Sequence, residues 1–145
     1  IDTGSTFDGY FCDFDRNFGF GQISQECQNA YKVLWETTEI IFEKLKPGTS
    51  CADISNSLIE ILTKSGLNSN SVGRMGHGLG LQVTEPPSIH SKDKTILKEN
   101  MVITIEPCFE YMPGKMLVHE ENILITKNGF ELLTSRTPEN MPIIK

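Results

Sequence analysis

Apolar positions recur along the chain with two different periods, and these predict two helices set between extended segments. Across residues 23–45 the apolar side chains are spaced about 3.6 residues apart, and Pro47-Gly48 ends the run. A second helix is predicted to begin after Ser50, with Asp53 at the capping-box position, and Gly66 fits the residue that follows its last turn. The first half of the chain therefore contributes two adjacent helices.

Strand patterns lie on both sides of these helices. Residues 1–20 are rich in aromatic side chains and carry Asp8-Gly9 in the middle, which predicts a hairpin with a two-residue turn. Residues 101–106 predict a buried strand, residues 117–126 its returning partner and residues 130–133 a short last strand. A polar loop should follow the second helix, and the Pro-rich tail should be irregular. The predicted class is α+β, an antiparallel sheet with two helices covering one face.

Composition narrows the functional classes. The chain has 145 residues, which is the size of one domain, and no internal linker or repeat divides it. Its net charge is −6 and its Lys and Arg residues are not clustered, which argues against nucleic acid or an anionic membrane as partner. No apolar run approaches the ~20 residues that a membrane span needs. The four cysteines form no C-x-x-C pair, so we expect reduced core residues and a cytoplasmic location.

Acidic residues concentrate on the first predicted hairpin. A two-residue turn at its centre makes paired positions sum to 17, so Asp2 faces Asp15 and Asp13 lies diagonally across on the same face. Carboxylates held this close repel one another, and a cation should lie among them. On this hairpin alone, a solvated face that Arg16 or Arg74 partly neutralises is an equally good interpretation.

A second pair of carboxylates favours a metal. Glu106 ends one apolar strand and Glu120 begins another, where a charge is costly unless it is paired or coordinated. An odd-numbered loop centred on Pro113 would place these two residues directly opposite each other. One such pair is easily a coincidence, but two pairs on one small sheet indicate a metal site.

His77 is the candidate nitrogen ligand. It lies in a run of glycines that lets the backbone approach a site closely, and no Gly-Lys-Ser/Thr follows as a phosphate-binding loop would require. A lone histidine is more often structural, which is our interpretation of His90 and of His119, whose side chain should face away from that of Glu120. One imidazole and four carboxylates would balance two divalent cations, and they suit Mn, Fe, Co or Zn, with Zn less favoured. Such a pair of cations supports hydrolysis.

The same residues lie in motifs that occur in a fixed order. The motifs are Asp2-Thr3-Gly4, Gly9-Tyr10-x-x-Asp13-x-x-Arg16, Gly76-His77-Gly78-Leu79-Gly80, Thr104-Ile105-Glu106-Pro107 and Glu120-Glu121-Asn122-Ile123-Leu124-Ile125-Thr126. Together they resemble the catalytic domain of the creatinase/aminopeptidase family, from Asp2 to about Thr134. That family has the pita-bread fold and includes methionine aminopeptidase, Xaa-Pro aminopeptidase and Xaa-Pro dipeptidase.

The resemblance assigns a role to each candidate ligand. It implies that Asp2 chelates one metal, that His77 and Glu106 hold the other, and that Asp13 and Glu120 bridge the two. Glu106 and His77 are then the expected catalytic residues, and Glu106 would move the proton between the attacking water and the leaving nitrogen. The implied cofactors are two divalent ions (Mn, Co, Fe or Zn).

Three positions depart from the proline-directed branch of the family. That branch usually has histidine where this chain has Gly73 and Thr84, and it favours threonine where this chain has Asp15. With Arg74, these residues are more similar to ectoine hydrolase and the dimethylsulfoniopropionate lyases. We expect all four, Gly73, Arg74, Thr84 and Asp15, to contact substrate.

The leading prediction is a dinuclear-metal hydrolase that cleaves the C–N bond of a small peptide or amino-acid-derived substrate. Ectoine hydrolysis, sulfoniopropionate lysis and an inactive fragment or binding module are the alternatives. The family's catalytic domain has two related halves, so residues 1–145 are expected to be a single truncated metal-binding domain, the C-terminal part of the pita-bread fold without its N-terminal half. Homodimers are common in the family, and one is a candidate assembly here.

Overall fold

The computed structural model describes residues 1–67 and 73–145, so most of the predicted polar loop lies outside the described residues. Two helices, α1 (Gln25–Phe42) and α2 (Cys51–Lys64), pack against each other. The described strands are β1 (Asp2–Phe7), β2 (Tyr10–Asp15), β3 (Gly19–Phe20), β4 (His77–Gly78), β5 (Glu85–Ser88), β6 (Val102–Ile105), β7 (Cys108–Met112), β8 (Lys115–Val118), β9 (Glu121–Ile125), β10 (Phe130–Leu132) and β11 (Ile143–Ile144).

Both helices begin at the hydroxyl caps that their sequences favour. The Ser24 side chain accepts a hydrogen bond from the backbone N–H of Cys27, and the Ser50 side chain accepts one from Asp53. Gly66 follows α2 with a φ of 78°, a left-handed conformation that glycine adopts without strain. The predicted start and end of the second helix are therefore confirmed.

The first hairpin has the predicted register. Asp2 pairs with Asp15 and Gly4 pairs with Asp13 across β1 and β2. Asp8-Gly9 forms the turn with φ values of 50° and 85°, as a two-residue turn between twisted strands requires. This hairpin is a separate two-stranded sheet, and every residue of β1 is exposed. The expectation that one sheet holds all the acidic residues is wrong.

The main sheet has five strands in the order β10-β9-β6-β4-β5, all paired antiparallel. Ile105 of β6 pairs with Glu121 of β9, and the same register continued by one residue sets Glu106 against Glu120. The acidic ends of these strands therefore meet at one place, as the sequence predicted.

The chain reaches this register by a different route from the one expected. It reverses through a two-residue turn at Pro113-Gly114, and a bulge between Glu110 and Met112 supplies the extra residue that an odd loop would have supplied. The predicted strand over residues 117–126 is divided, because β8 pairs with β7 and β9 pairs with β6. The short strands β4, β5 and β7 had no clear alternating pattern and were not predicted.

The tail is only partly irregular, which corrects the sequence prediction. Its strand β11 pairs in parallel with β3. Nearby, the Tyr31 hydroxyl on α1 bonds with Thr137 and with the carbonyl of Pro138, so the tail is held against the helix layer. None of the helices in residues 1–67 and 73–145 is long and apolar enough to span a membrane.

The hydrophobic core lies between the two helices and the five-stranded sheet. Its fully buried side chains include Leu34, Ile41, Ile54, Leu58, Leu62, Ile89, Leu97, Ile103, Ile105, Phe109, Ile123 and Ile125. Burial of this apolar surface is the main force that stabilises the sheet. The edge where β4, β6 and β9 carry polar side chains is thereby fixed to a rigid support.

Candidate metal centre

His77 lies at the start of β4, and its side chain is 2% exposed. Close backbone packing on both sides explains the flanking glycines: a Cβ at Gly76 would overlap the carbonyl of Thr104, and one at Gly78 would overlap the carbonyl of Pro86. The imidazole Nδ1 lies 2.9 Å from the carbonyl oxygen of Gly78. This contact orients the ring so that Nε2 faces the acidic residues.

Three carboxylates surround the Nε2 atom of His77. The distances are 3.8 Å to Asp13 Oδ2, 3.8 Å to Glu106 Oε1 and 3.9 Å to Glu120 Oε1. These separations are too long for hydrogen bonds. They agree with ligand atoms that each lie about 2.1 Å from one ion, which are about 3–4 Å from each other.

The carboxylates form two groups that share one residue. In the inner group, ligand atoms of Asp13, His77 and Glu120 all lie within 4.8 Å of one another. In the outer group, ligand atoms of Asp2, Asp15 and Glu120 satisfy the same limit. All five predicted ligands are therefore in one cluster, since Glu106 also faces His77. Asp15, which the sequence placed among the substrate contacts, lies in this cluster as well.

Of the carboxylates in this cluster, Glu120 lies in the least favourable electrostatic environment. Its side chain is buried, and its Oε1 has no hydrogen-bond partner among the described residues. Burial, together with the charges of Glu106 and Asp13, raises its pKa to about 9. An isolated buried carboxylate of this kind is costly, and a cation between the two groups would remove that cost.

The other groups of the cluster respond in the same way. Burial and the nearby Asp2 raise the pKa of Asp15 to about 6, and burial raises the pKa of Asp13 and of Glu106. Burial also lowers the pKa of His77, so its imidazole is neutral near pH 7 and can act as a ligand. A neutral imidazole among closely spaced carboxylates fits divalent cations.

Two of the predicted substrate contacts line a cavity beside the cluster. Arg74 Nε lies 3.3 Å from Glu106 Oε1, and Arg74 Nη2 lies 3.3 Å from the hydroxyl of Thr84. Arg74, His77 and Thr84 line an open cavity of about 310 Å³. Gly73 is exposed, and a side chain there would meet nothing within 4 Å. The arginine that partly neutralises the cluster is thus Arg74.

Arg16 has a different role from the one expected. It donates to the backbone carbonyls of Asp15 at 2.8 Å and of Glu120 at 2.7 Å, and it forms an ion pair at 2.9 Å with the fully buried Glu121. Arg136 binds the other oxygen of Glu121 at 3.3 Å. Arg16 therefore joins the hairpin to β9 and leaves the acidic face free.

Asn122 makes the second connection between the hairpin and the main sheet. Its side-chain oxygen accepts from the backbone N–H of Asp13 at 3.2 Å, and its amide nitrogen donates to the carbonyl of Asp13. Sequence reasoning missed this role, although Arg16 and Asn122 both stand in the motifs quoted above. Their closeness in sequence to predicted ligands could have indicated it: Arg16 is three residues after Asp13, and Asn122 is two residues after Glu120.

The two histidines interpreted as structural lie elsewhere. His119 is fully buried, and its ring meets that of Tyr31 edge-on with centroids 4.6 Å apart. Its backbone neighbour Glu120 points to the opposite side, toward His77. His90 accepts a hydrogen bond from the backbone N–H of Lys92 in a local turn.

The sequence model of metallopeptidase family M24 matches residues 1–127. The chain belongs to this family. It is 37% identical over 135 residues to an uncharacterized peptidase of Staphylococcus aureus (strain MRSA252), an alignment that covers 92% of this chain and 38% of the relative. The chain thus spans well under half the length of the curated relatives it matches.

Solved structures of M24-type enzymes have the same fold. The X-Pro aminopeptidase of Thermotoga maritima MSB8 superposes with a TM-score of 0.91 and 28% identity over 99% of this chain and 41% of that one. The prolidase of Pyrococcus furiosus gives 0.89 and 33% identity over 95% of this chain and 41% of that one. The family resemblance and a fold shared with part of these pita-bread enzymes are confirmed, and membership of this metallopeptidase family implies divalent metal ions.

Proposed function

We propose that this chain carries the metal centre of a dinuclear-metal hydrolase that cleaves peptide-type C–N bonds in small substrates of the Xaa-Pro kind. The observation that carries the proposal is Glu120, a buried carboxylate that belongs to both ligand groups and has no hydrogen-bond partner among the described residues. A residue shared in this way is what two neighbouring cations need as a bridge.

Each cation position has its own residues. The inner cation would be held by His77, Asp13, Glu106 and Glu120, and the outer one by Asp2 with Asp13 and Glu120 as shared ligands. When bound, the two cations supply Lewis acidity toward the scissile carbonyl and lower the pKa of a water molecule. Mn, Co, Fe and Zn all suit a set of carboxylates with one imidazole.

Glu106 is the proposed proton carrier. Its side chain is 20% exposed, so it can be reached from solvent, and burial raises the pKa of its carboxyl. A raised pKa favours acceptance and return of a proton by a carboxylate. It accepts a proton from the attacking water and delivers that proton to the leaving nitrogen as the C–N bond breaks. Arg74, 3.3 Å away, keeps its carboxylate oriented.

The substrate class rests on two kinds of support. The names of the solved relatives, X-Pro aminopeptidase and prolidase, favour a dipeptide or an N-terminal Xaa-Pro segment. The cavity favours a second candidate, an ectoine hydrolase-like or sulfoniopropionate lyase-like enzyme. Its wall presents Thr84 paired with Arg74, and the proline-directed branch usually has histidine at position 84.

The test is turnover of Ala-Pro and of ectoine in parallel, with Mn²⁺ added and with a chelator as the zero point. Hydrolysis of Ala-Pro supports the peptidase, and hydrolysis of ectoine alone supports the second candidate. Glu106→Gln should lower kcat for either substrate about 100-fold or more, because the proton carrier is lost. Glu99→Gln removes the same charge from an exposed site and should change nothing.

The relatives are longer than this chain, so the assay should compare it with a longer protein that contains it. Turnover by the longer protein alone would mean that segments outside residues 1–145 complete the active site. Absence of turnover by both proteins, with cations bound, would contradict the hydrolase and favour a binding module.

A further inference from the structure

The geometry points to Asp15 as an additional ligand of the outer cation, so that carboxylate oxygens alone hold that position. This inference rests on the proposed dinuclear centre and extends it by one residue. It replaces the substrate contact expected for Asp15 with a direct role in binding metal.

The position of Asp15 is the first argument. It pairs directly with Asp2 across the hairpin, and ligand atoms of both residues lie within 4.8 Å of one another and of Glu120. The backbone carbonyl of Asp15 accepts from Arg16, but its half-buried carboxylate has no hydrogen-bond donor among the described residues. The guanidinium of Arg16 is bound instead to Glu121.

The buried state of Glu120 is an independent second argument. Its side chain is 2% exposed and its Oε1 lacks any partner within residues 1–67 and 73–145. A buried carboxylate that faces other carboxylates, without a donor of its own, is stabilised by a cation beside it. Because Glu120 belongs to the outer group as well as the inner one, the outer position has this buried anchor together with Asp2 and Asp15.

The charges of the site remain balanced when Asp15 is included. The cluster then holds five carboxylates, and the guanidinium of Arg74 lies 3.3 Å from one of them, Glu106. Four negative charges are left for two divalent cations.

The ligand types predict a difference between the two positions. The inner group includes the imidazole of His77, which suits Zn, Co and Fe, whereas the outer group has only carboxylate oxygens. Oxygen-only sites favour hard cations such as Mn²⁺ and Mg²⁺. We therefore expect Mg²⁺ to compete for the outer position and not for the inner one.

The experiment is a calorimetric titration of the metal-free protein with Mn²⁺, with the bound manganese counted by mass spectrometry. The unaltered protein should bind two ions per chain, and Asp15→Asn should weaken the binding of one of them about tenfold or more while the other is unchanged. Asp8→Asn is the matched control, because it removes the same charge from the exposed turn of the same hairpin. Asp15→Glu should retain two ions.

Each outcome has one meaning. Two ions bound with unchanged affinity in Asp15→Asn would overturn the role of Asp15 and leave the dinuclear centre intact. Fewer than two ions in the unaltered protein would contradict the dinuclear centre itself. A second measurement needs no variant: excess Mg²⁺ should displace one of the two Mn²⁺ ions, and displacement of both or of neither would overturn the all-oxygen outer position. It keeps the inference testable if Asp15→Asn does not fold.

Discussion

The hairpin β1–β2 and the five-stranded sheet each carry half of the candidate metal centre, but they are supported in very different ways. His77 and Glu120 are buried against a sheet whose inner face is the hydrophobic core. Asp2, Asp13 and Asp15 lie on a two-stranded ribbon whose first strand is exposed throughout. An isolated hairpin is marginally stable in water. Its ligands can hold their places only through bonds to the main sheet.

Those bonds are few and come mostly from side chains. Arg16 ties the end of β2 to the carbonyl of Glu120, Asn122 ties the backbone of Asp13 to β9, and the N–H of Phe11 donates to the carbonyl of Gly80 at 2.8 Å. Core packing therefore positions the sheet's half of the centre, whereas hydrogen bonds and an ion pair to the main sheet position the hairpin's half. Loss of one of these contacts should therefore displace the ligands of the hairpin, and it should also cost stability where a buried charge loses its partner.

The largest effect should come from removing the carboxylate that lies between the halves. Asp13 lies 3.8 Å from Nε2 of His77 and belongs to the hairpin, so it is the link from one region to the other. Asp13→Asn should abolish binding of the second cation and all turnover. Metal counting and a hydrolysis assay check this, and full activity in the variant would refute the bridging role.

Loss of the contacts that Arg16 makes with the main sheet should mainly lower the free energy of unfolding. Arg16→Gln leaves the fully buried Glu121 with Arg136 as its remaining cationic partner. Removing one partner of a buried ion pair typically costs about 3 kcal/mol. Chemical denaturation in the presence of chelator measures this loss in the free energy of unfolding. Lys32→Gln removes the same charge from a pair whose side chains are both more than half exposed, and it should cost much less. An equal loss in the free energy of unfolding in the two variants would argue against a buried ion pair at Arg16.

Loss of the hydrogen bonds that Asn122 makes should lower the affinity for cations more than the stability of the fold. Asn122→Ala removes both bonds to the backbone of Asp13, and the loss of groups that orient metal ligands typically lowers affinity about 10- to 100-fold. Titration with Mn²⁺ measures the change. Asn128→Ala, in the exposed turn before β10, is the control with the same change of side chain. An unchanged affinity in Asn122→Ala would show that the hairpin is held by other contacts.

The smallest effect, counted per pH unit, is the change in the stability of the metal-free protein with pH. The pKa of Glu120 is raised to about 9 by burial and by its acidic neighbours, from an ordinary value of 4.5. The folded state therefore binds the proton more tightly than the unfolded state. The contribution of Glu120 to the free energy of unfolding is therefore fully present below pH 4.5. It is lost as the pH rises toward 9, by at most about 1.4 kcal/mol per pH unit.

This dependence separates the two regions when it is measured in chelator. Thermal melts between pH 5 and 9 should show the loss in the unaltered protein, and Glu120→Gln should flatten it. Added Mn²⁺ should also reverse it, because the cation replaces the proton. A slope that Glu120→Gln does not change would mean that the buried side of the centre is not the source.

Local sequence signals predicted the parts of the fold that depend on near neighbours. The Asp8-Gly9 turn determines the hairpin register because both residues adopt positive φ, and Ser50 determines where α2 begins. From the hairpin register follows the shared face of Asp2, Asp13 and Asp15. Much of the centre was therefore predictable from short spacings.

What the sequence did not predict depends on distant pairings. The Arg16–Glu121 ion pair joins residues 105 positions apart, and the Asn122–Asp13 bonds join residues 109 apart. No local pattern encodes which of several nearby polar residues will meet across such a separation. The bulge beside Met112 escaped prediction for a related reason, because it reproduces the register that a different loop would give.

The most direct test is a crystal structure of the protein loaded with Mn²⁺, with anomalous scattering used to locate the ions. We predict two peaks: one among His77, Asp13, Glu106 and Glu120, and one among Asp2, Asp13, Asp15 and Glu120. A single peak in the inner group, or peaks only outside this cluster, would contradict a dinuclear centre shared between the hairpin and the sheet.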